Sequence, residues 1–256
     1  MQQYFIESKL SEKILFNEEQ SHHIAHVMRM KEGEIVKVVD CEEQAAYAAI
    51  HYEGKKAVGL LQEHLPDDHH KQIDISLAMA LVKKEKWELC VQKSAECGAY
   101  DILPFISSRS VVKISEEKND KKLARWQKIA LEACEQSKQN HRCLVHPICS
   151  FSQVLEKEAD LKCIAYENAD TTADSLGKVL CQHPNIRSVL VMIGPEGGFS
   201  GKEITEAKAH GFICVSLGKR ILRAETAAIS AVSMLTYHYE LLGEWYGTNK
   251  ENSEKG

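Results

Sequence analysis

The 256-residue sequence lacks the features that mark membrane, secreted and disulfide-rich proteins. It has no apolar run of transmembrane length and no basic-then-apolar signal segment at its N-terminus. Its nine cysteines include no C-x-x-C pair, and their odd number favours reduced thiols in a cytosolic protein. The net charge of −5 disfavours indiscriminate binding to nucleic acid but leaves room for a local basic face. We therefore expect a cytoplasmic protein without a membrane partner.

Two patterns of hydrophobicity divide the chain. Residues 1–70 contain short alternating segments and a hairpin-like turn at Gly54, which predict a small β-barrel. In residues 71–246, apolar strand-like runs alternate with helical patterns, and this alternation is typical of a parallel α/β sheet. Residues 247–256 form a polar tail. The sequence therefore predicts two domains followed by a tail.

The most informative motif is a glycine-rich turn, Gly194-Pro195-Glu196-Gly197-Gly198. It follows the apolar run 188–193, which predicts a buried strand. The two adjacent glycines allow positive φ angles and close approach of a ligand to the backbone. Ser200 and Glu203 then form an S-x-x-E capping box, which predicts that a helix begins there.

A second loop of the same kind spans residues 217–226 and follows a strand-like run at 213–217. Two strand-to-helix loops side by side in a parallel sheet make a crevice where ligands bind. The helical pattern after the second loop continues through Leu242. Its apolar stripe is consistent with a core helix, or with a core helix that also forms a dimer seam.

The first loop does not match the common phosphate-binding patterns. The Walker A pattern fails at two positions, and the dinucleotide fingerprint fails because Glu196 replaces its second glycine. A carboxylate in the turn would repel a phosphate and favour a ligand with positive charge. S-adenosylmethionine carries a sulfonium and an ammonium group and no phosphate. A tight turn without any ligand is the alternative interpretation.

Basic residues follow the second strand. Lys219, Arg220 and Arg223 would form a basic rim beside the crevice. An arginine cannot act as a base at accessible pH, but it can stabilise an anion or bind a phosphate. Arginines in loops are also commonly just exposed to solvent, so this cluster alone does not predict a binding site.

Taken together, the two loops resemble the C-terminal motifs of the SPOUT methyltransferases. They are most similar to the ribosomal small subunit methyltransferase E family, which makes N3-methyluridine in 16S rRNA. The similarity extends over nearly the whole chain and rests on these further segments: Arg223-Ala224-Glu225-Thr226-Ala227-Ala228, Lys86-Trp87-Glu88, 92–98, Ser108-Arg109-Ser110, 132–137, His22-His23 and 27–33.

The resemblance implies a SPOUT-type parallel sheet with a C-terminal trefoil knot, preceded by a PUA-like RNA-binding β-barrel. It also implies a homodimer that binds S-adenosylmethionine with the knot loops. The expected cofactor-binding residues are Ile193, Gly194, Pro195, Glu196, Gly198, Leu217, Gly218, Ile221 and Leu222. The expected RNA-binding residues are His23, Arg29, Lys84, Lys86 and Arg142, although Lys138 is an alternative to Arg142 because the segment after Ser137 departs from the family's pattern.

The implied reaction is attack by N3 of a uridine on the sulfonium methyl of the cofactor. That nitrogen must lose its proton, and negative charge then spreads onto the uracil carbonyls. Arg223 is the first candidate for stabilising this charge and Arg109 the second, whereas no residue is assigned as general base. The target base must leave the RNA structure to reach the crevice. The implied partner is 16S rRNA within the small ribosomal subunit.

Three other interpretations of the sequence stay open. The chain would also suit a non-catalytic RNA-binding factor for ribosome assembly with a vestigial pocket, although its intact glycines argue against decay. An oxidoreductase that binds a dinucleotide is disfavoured by the failed fingerprint. Glu167, at the end of a predicted strand, either orients a ligand or caps the next turn.

Two histidine-containing patterns have the spacing of a possible metal or RNA site. Cys143-x-x-His146-x-x-Cys149 has ligand-like spacing, but structural zinc needs four ligands and no fourth lies nearby, so we predict no metal. His22, His23 and His26 lie within about one helical turn, where an RNA-facing, a buried polar and a solvated role are all compatible with the sequence.

Overall fold

The structure of the protein is a computed structural model that describes residues 1–66, 73–110, 119–166 and 174–242. The predicted polar tail 247–256 and Glu167 lie outside these ranges. Contacts divide the chain into two units. The first consists of residues 1–70 and 134–142, and the second of residues 71–133 and 143–256.

The first unit is built on short strands, as the sequence predicts. Its elements are β1 (Gln3–Phe5), β2 (Lys13–Leu15), α1 (Glu18–His22), a π-helical turn (His23–Val27), β3 (Ile35–Val39), β4 (Ala45–Glu53) and β5 (Lys56–His64). The five strands form one sheet in the order β1-β3-β4-β5-β2, which curls into a half-barrel. Strand β1 runs parallel to β3, and the other neighbours are antiparallel.

Local sequence explains the turns of this unit. Asn17 and Gln20 form a capping box at the start of α1. Gly54 has a φ of +65°, a left-handed conformation that glycine adopts at little cost in the tight turn between β4 and β5. Buried apolar side chains, among them Ile24 and Val36, form the core of the unit.

Residues 134–142 belong to the first unit, and Arg142 among them contacts the first residues of the chain. Arg142 donates a hydrogen bond to the backbone carbonyl of Ile6, and its Nη1 lies 3.2 Å from Oε1 of Glu7. Its guanidinium also lies over the ring of Phe5, 5.1 Å from the ring centroid.

The second unit alternates strands and helices. Its elements are β6 (Asp74–Ala80), α2 (Lys84–Glu96), β7 (Asp101–Ile106), α3 (Asn119–Ser137, whose last residues belong to the first unit), β8 (Leu144–Val145), β9 (Cys149–Ser150), α4 (Phe151–Leu155), β10 (Leu161–Ala165), β11 (Asp174–Ser175), α5 (Leu176–Gln182), β12 (Ser188–Ile193), α6 (Gly201–Ala209), β13 (Ile213–Ser216), α7 (Ala224–Thr236) and a π-helical turn (Tyr237–Leu241).

These strands form a single sheet in the order β11-β13-β10-β12-β6-β7-β8, and β9 also pairs with β7. All its strand pairs are parallel. The central strand β12 is almost completely buried, as expected for a sheet covered on both faces. The predicted parallel α/β architecture is confirmed, whereas the trefoil knot stays a prediction.

Within the described ranges, no helix has the length and apolarity that crossing a membrane requires. The most apolar helix, α7, instead packs against α2 and against strands β6 and β12. Small residues on it, such as Ala228 and Ala231, are completely buried and allow this close packing.

Candidate functional site

A cavity of about 510 Å³ lies at the edge of the large sheet where the parallel strands end. The loops after β7, β10, β12 and β13 meet there, as expected for ligand sites in open parallel sheets. Eight of the nine predicted cofactor-binding residues line it, and both predicted catalytic arginines do as well: Ile193, Gly194, Pro195, Glu196, Gly198, Leu217, Ile221, Leu222, Arg109 and Arg223. The structure therefore brings nearly the whole predicted site together.

The glycine-rich loop after β12 begins with a tight turn. The backbone N–H of Gly198 donates to the carbonyl of Pro195 at 2.8 Å, and Gly198 has a φ of +65°. Among the described residues, apart from Gly198 itself and its two chain neighbours, no atom lies within 4 Å of the position that a Cβ on Gly198 would occupy. Gly194 is needed for a different reason, since a Cβ there would lie 3.1 Å from the ring of Phe199. Gly197 does not adopt the positive φ that the sequence allowed for it.

Arg109 supports this loop from the neighbouring strand end. Its Nη1 donates to the carbonyl of Gly197 at 3.0 Å and to that of Phe199 at 3.3 Å. The guanidinium therefore binds the protein's own backbone. The predicted role of Arg109 in stabilising charge on a substrate is less favoured by this geometry than a role in holding the loop.

Glu203, in the first turn of α6, joins the loop after β7 to the loop after β12. Its carboxylate accepts hydrogen bonds from the hydroxyl of Ser107 and from both the N–H and the hydroxyl of Ser108, at 2.8 to 2.9 Å. It also completes the predicted capping box with the N–H and hydroxyl of Ser200, both at 2.8 Å. Burial raises the pKa of Glu203, but the hydrogen bonds from Ser200 and Ser108 outweigh burial and lower it to about 2.

Lys86 on α2 lies between two carboxylates of this region. Its Nζ is 3.4 Å from Oε1 of Glu196 in the glycine-rich loop and 3.4 Å from Oε1 of Glu225 in α7. The Oε2 atom of Glu225 is buried and accepts no hydrogen bond among the described residues. Lys86 thus partly neutralises Glu196, so the repulsion of a phosphate by this loop is weaker than the sequence alone predicts.

The loop after β13 exposes an apolar side chain beside the cavity. Ile221 is 91% exposed although it lines the cavity wall. Gly218 has a φ of +122° and is tied to Ser216 by two hydrogen bonds of 3.2 Å. Gly218 is not among the residues that line the cavity, so it shapes the loop from outside.

Arg223 is the N-cap residue of α7 and has an extended backbone. Its side chain is exposed, lines the cavity, and forms no hydrogen bond or ion pair within the part of the chain that the structure describes. Lys219 and Arg220 are exposed but do not line the cavity. Of the predicted basic rim, only Arg223 is therefore placed to act on a bound ligand.

Several residues that line the cavity were not predicted as part of it: Ala165, Tyr166, Gly197, Phe199, Val215, Ala224 and Ala227. Tyr166 directly follows β10, a strand that the sequence does predict. The carboxyl ends of parallel strands share one edge of the sheet. Tyr166 could therefore have been predicted to line the crevice in the same way as the two loops.

The predicted RNA-binding residues have diverse surroundings. Lys84 and Arg29 are exposed, and neither forms a hydrogen bond or ion pair in the described ranges. Arg29 adopts a left-handed φ of +52°. Lys86 and Arg142 are instead engaged in the contacts described above, which a free RNA-binding side chain would not make.

His23 points into its own unit. Its Nδ1 lies 2.9 Å from the hydroxyl of Tyr4, and the two rings meet edge to face. Tyr4 is buried, and burial, with a smaller contribution from the charge of Glu135, raises its pKa to about 12. This contact favours a structural role for His23. The neighbouring His22 and His26 are both exposed.

The Cys143-x-x-His146-x-x-Cys149 segment makes other contacts. The Nε2 of His146 lies 2.7 Å from Oδ2 of Asp101, and the thiol of Cys149 donates to the carbonyl of Pro104 at 3.5 Å. Across residues 1–66, 73–110, 119–166 and 174–242, no three His, Cys, Asp or Glu side chains form a group that could hold a metal ion.

Comparisons with known proteins identify the family. Residues 69–236 match the RNA methyltransferase domain, and residues 16–60 match the RNA methyltransferase PUA domain. The chain is 35% identical over 254 residues to Ribosomal RNA small subunit methyltransferase E of Bacillus subtilis, covering 94% of this chain and 98% of the relative.

Solved structures of similar proteins point to the same family. A Ribosomal RNA small subunit methyltransferase E from Neisseria gonorrhoeae, bound to S-adenosyl methionine, is 31% identical with a TM-score of 0.82, covering 92% of this chain and 97% of that one. A Legionella pneumophila protein described as a methyltransferase in complex with the cofactor SAM is 33% identical with a TM-score of 0.80, covering 91% and 96%. The chain therefore belongs to the ribosomal RNA small subunit methyltransferase E family of RNA methyltransferases.

Proposed function

We propose that this protein transfers the methyl group of S-adenosylmethionine to N3 of a uridine in 16S rRNA of the small ribosomal subunit. The observation that carries the proposal is the cavity at the sheet edge, where the glycine-rich loop and Arg223 face the same space. Family membership supports the reaction class, and the Neisseria gonorrhoeae relative is itself bound to the cofactor.

The cavity suits S-adenosylmethionine in size and chemistry. Its volume of about 510 Å³ falls within the usual range of small-molecule pockets. Apolar side chains such as Ile193, Leu217 and Leu222 would contact the adenine ring, and the open space over Gly198 would admit the ligand close to the backbone. Its lining includes the carboxylate of Glu196, which would attract the positively charged groups of the cofactor, and the guanidinium groups of Arg109 and Arg223.

When bound, S-adenosylmethionine would supply an electrophilic methyl group on its sulfonium. Arg223 would donate hydrogen bonds to a uracil carbonyl oxygen as negative charge develops on the base. Because its side chain forms no hydrogen bond or ion pair among the described residues, its guanidinium is available for that role. Arg109 would act differently, because its bonds to Gly197 and Phe199 hold the loop that shapes the cofactor site.

The protein would act as a homodimer. The end of α7 and the turn that follows it expose three large apolar side chains, Met234, Tyr237 and Leu241, at 40 to 58% of their surface. Burial of such a stripe against a second copy would remove it from water. Ultracentrifugation tests this part of the proposal, which predicts a mass of twice 28.8 kDa.

Methyl transfer to purified subunits tests the proposed function. Small ribosomal subunits from cells lacking the protein would be incubated with it and with tritiated S-adenosylmethionine. We expect label in 16S rRNA and none in large subunits. Small subunits from cells that contain the protein are the matched control and should accept little label. Equal labelling of both kinds of small subunit would contradict the proposal.

A further inference from the structure

A second cavity, of about 220 Å³, lies in the first unit. It is bounded by α1, by the π-helical turn after it, and by the turn between β4 and β5. His22 and His26 are four residues apart and face it together, with their ring centroids 4.9 Å apart. This volume gives room for one flat heterocycle.

The walls of this cavity are fixed by buried contacts. Ser21 is 7% exposed, and its hydroxyl accepts a hydrogen bond of 2.8 Å from the backbone N–H of Ala57 in β5. That bond holds α1 against the strand that begins at Lys56. Phe16 packs edge to face on Tyr4 in the core and also lines the cavity. The histidines and lysines are therefore presented from a rigid base.

The charge of the lining is mainly positive. Lys55 and Lys56 are exposed, and within the described ranges neither side chain forms a hydrogen bond or an ion pair. In contrast, Nζ of Lys13 lies 2.6 Å from Oε1 of Glu53, so Lys13 forms an ion pair. The cavity is also lined by one carboxylate, that of Glu18, which leaves an excess of one positive charge with the imidazoles neutral.

We propose that this cavity binds one nucleotide of single-stranded RNA. The imidazoles of His22 and His26, with the ring of Phe16, would stack on the unpaired base, and Lys55 and Lys56 would contact its flanking phosphates. The sequence left an RNA-facing role open for His22 and His26, but Phe16, Lys55 and Lys56 are not among the residues that it predicted to bind RNA in this unit, His23, Arg29 and Arg142. The inference rests on the proposed function for the source of the RNA, and it concerns binding rather than methyl transfer.

Binding of a fluorescein-labelled uridine octamer to the full chain, measured by anisotropy, tests the proposal. We expect His26→Ala to weaken binding by at least about fivefold, since loss of one base stack costs that much or more. His64→Ala, an exposed histidine on β5 that does not line the cavity, is the matched control and should bind like the native chain.

The lysines are tested through the salt dependence of the same binding. The double variant Lys55→Gln/Lys56→Gln should reduce the slope of log affinity against log salt by about 1.4, or about 0.7 for each phosphate contact on a single strand. A double variant with the same change in net charge, Lys9→Gln/Lys31→Gln, should leave the slope nearly unchanged. Equal losses in the two double variants would mean a diffuse charge effect and would overturn the proposal.

An abasic octamer with the same backbone separates stacking from phosphate binding. The proposal requires weaker binding of the abasic probe and no further loss of its affinity on His26→Ala. Equal affinity for both probes would overturn it. Methyl transfer by the same variants is measured in a separate assay. If the variants bound RNA and transferred methyl like the native chain, this RNA site would be excluded and the proposed function would stand. If the variants bound the octamer more weakly but the native chain transferred no methyl group to RNA, the proposed function would be excluded and this RNA site would stand.

Discussion

The carboxylate of Glu203 accepts hydrogen bonds from both the backbone N–H and the hydroxyl of Ser108, at 2.9 and 2.8 Å. Ser108 lies in the loop after β7, whereas Glu203 lies in the first turn of α6, directly after the glycine-rich loop. Arg109 directly follows Ser108 and in turn binds the carbonyl of Gly197. The loop after β7 is therefore joined to the glycine-rich loop and its helix twice, by the carboxylate of Glu203, which does not line the cavity, and by the guanidinium of Arg109, which does.

Substitution of Glu203 by Gln tests this connection. The amide retains one acceptor but turns a donor towards groups that already donate, so we expect a loss of about 2 kcal/mol in the free energy of unfolding. Urea denaturation measures this loss. Glu206→Gln, on the same helix and with the same change in charge, is the control and should cost much less. Equal stability of the two variants would mean that Glu203 does not join the loops.

The difference in stability between the native chain and Glu203→Gln should depend on pH. Because the pKa of Glu203 is lowered from 4.5 to about 2 in the folded state, its stabilisation is fully present above about pH 4.5. It is lost as the pH falls through 2. The difference in the free energy of unfolding between the native chain and Glu203→Gln should therefore shrink between pH 5 and pH 2. A difference that stayed constant over this range would contradict the assigned shift.

Gly198→Val tests the glycine-rich loop as part of a cofactor site. The side chain would occupy the open space over the loop, and we expect S-adenosylhomocysteine binding to fall by at least about tenfold, the effect of losing about 1.4 kcal/mol. Gly54→Val is the control, since Gly54 has the same φ of +65° and equally open surroundings. Calorimetry should show native affinity in the control, and unchanged affinity in Gly198→Val would exclude the loop from the site.

Arg223→Ala tests the assignment of charge stabilisation. We expect methyl transfer to fall by about 10² or more, as for removal of one donor that acts on developing charge. Affinity for S-adenosylhomocysteine should stay close to native, because the guanidinium would act on the base. Arg220→Ala, in the same loop but outside the cavity lining, should transfer methyl at the native rate. Native activity in Arg223→Ala would remove the assignment.

Lys86→Gln distinguishes an internal role from RNA binding. Removal of the ammonium leaves the nearly buried carboxylate of Glu225 without its cation, and we expect a loss of about 1 kcal/mol, or 2 to 4 °C in Tm. Lys84→Gln, two residues earlier and exposed, should not change Tm. If Lys86→Gln instead kept its Tm and bound RNA more weakly than Lys84→Gln, the RNA-binding role that the family resemblance implies for Lys86 would be favoured.

Much of the fold could be predicted because it depends on local patterns. The buried strand at residues 188–193 is a continuous apolar run, and the helix at residues 119–137 has a clear helical period. The capping boxes at Asn17 and Ser200 likewise depend on side chains three residues apart. In contrast, the short helix Phe151–Leu155 was missed, since five residues carry too little periodicity to be recognised.

The roles of individual side chains were harder to predict, because their partners are distant in sequence. The pattern around Ser200 predicts that Glu203 caps a helix, but not that it also binds Ser108, 95 residues away. Arg142 binds the carbonyl of Ile6, which lies 136 residues earlier. Among three closely spaced histidines, only the fold shows that His23 faces Tyr4.

The identity of the modified nucleoside tests the central claim most directly. Small subunits from cells lacking the protein would be incubated with it and with S-adenosylmethionine, and the 16S rRNA would be digested and analysed by mass spectrometry. The account predicts N3-methyluridine, at close to one residue per subunit, and its absence when Arg223→Ala replaces the native chain. A methyl group on another base or position, or no methylated nucleoside at all, would contradict it.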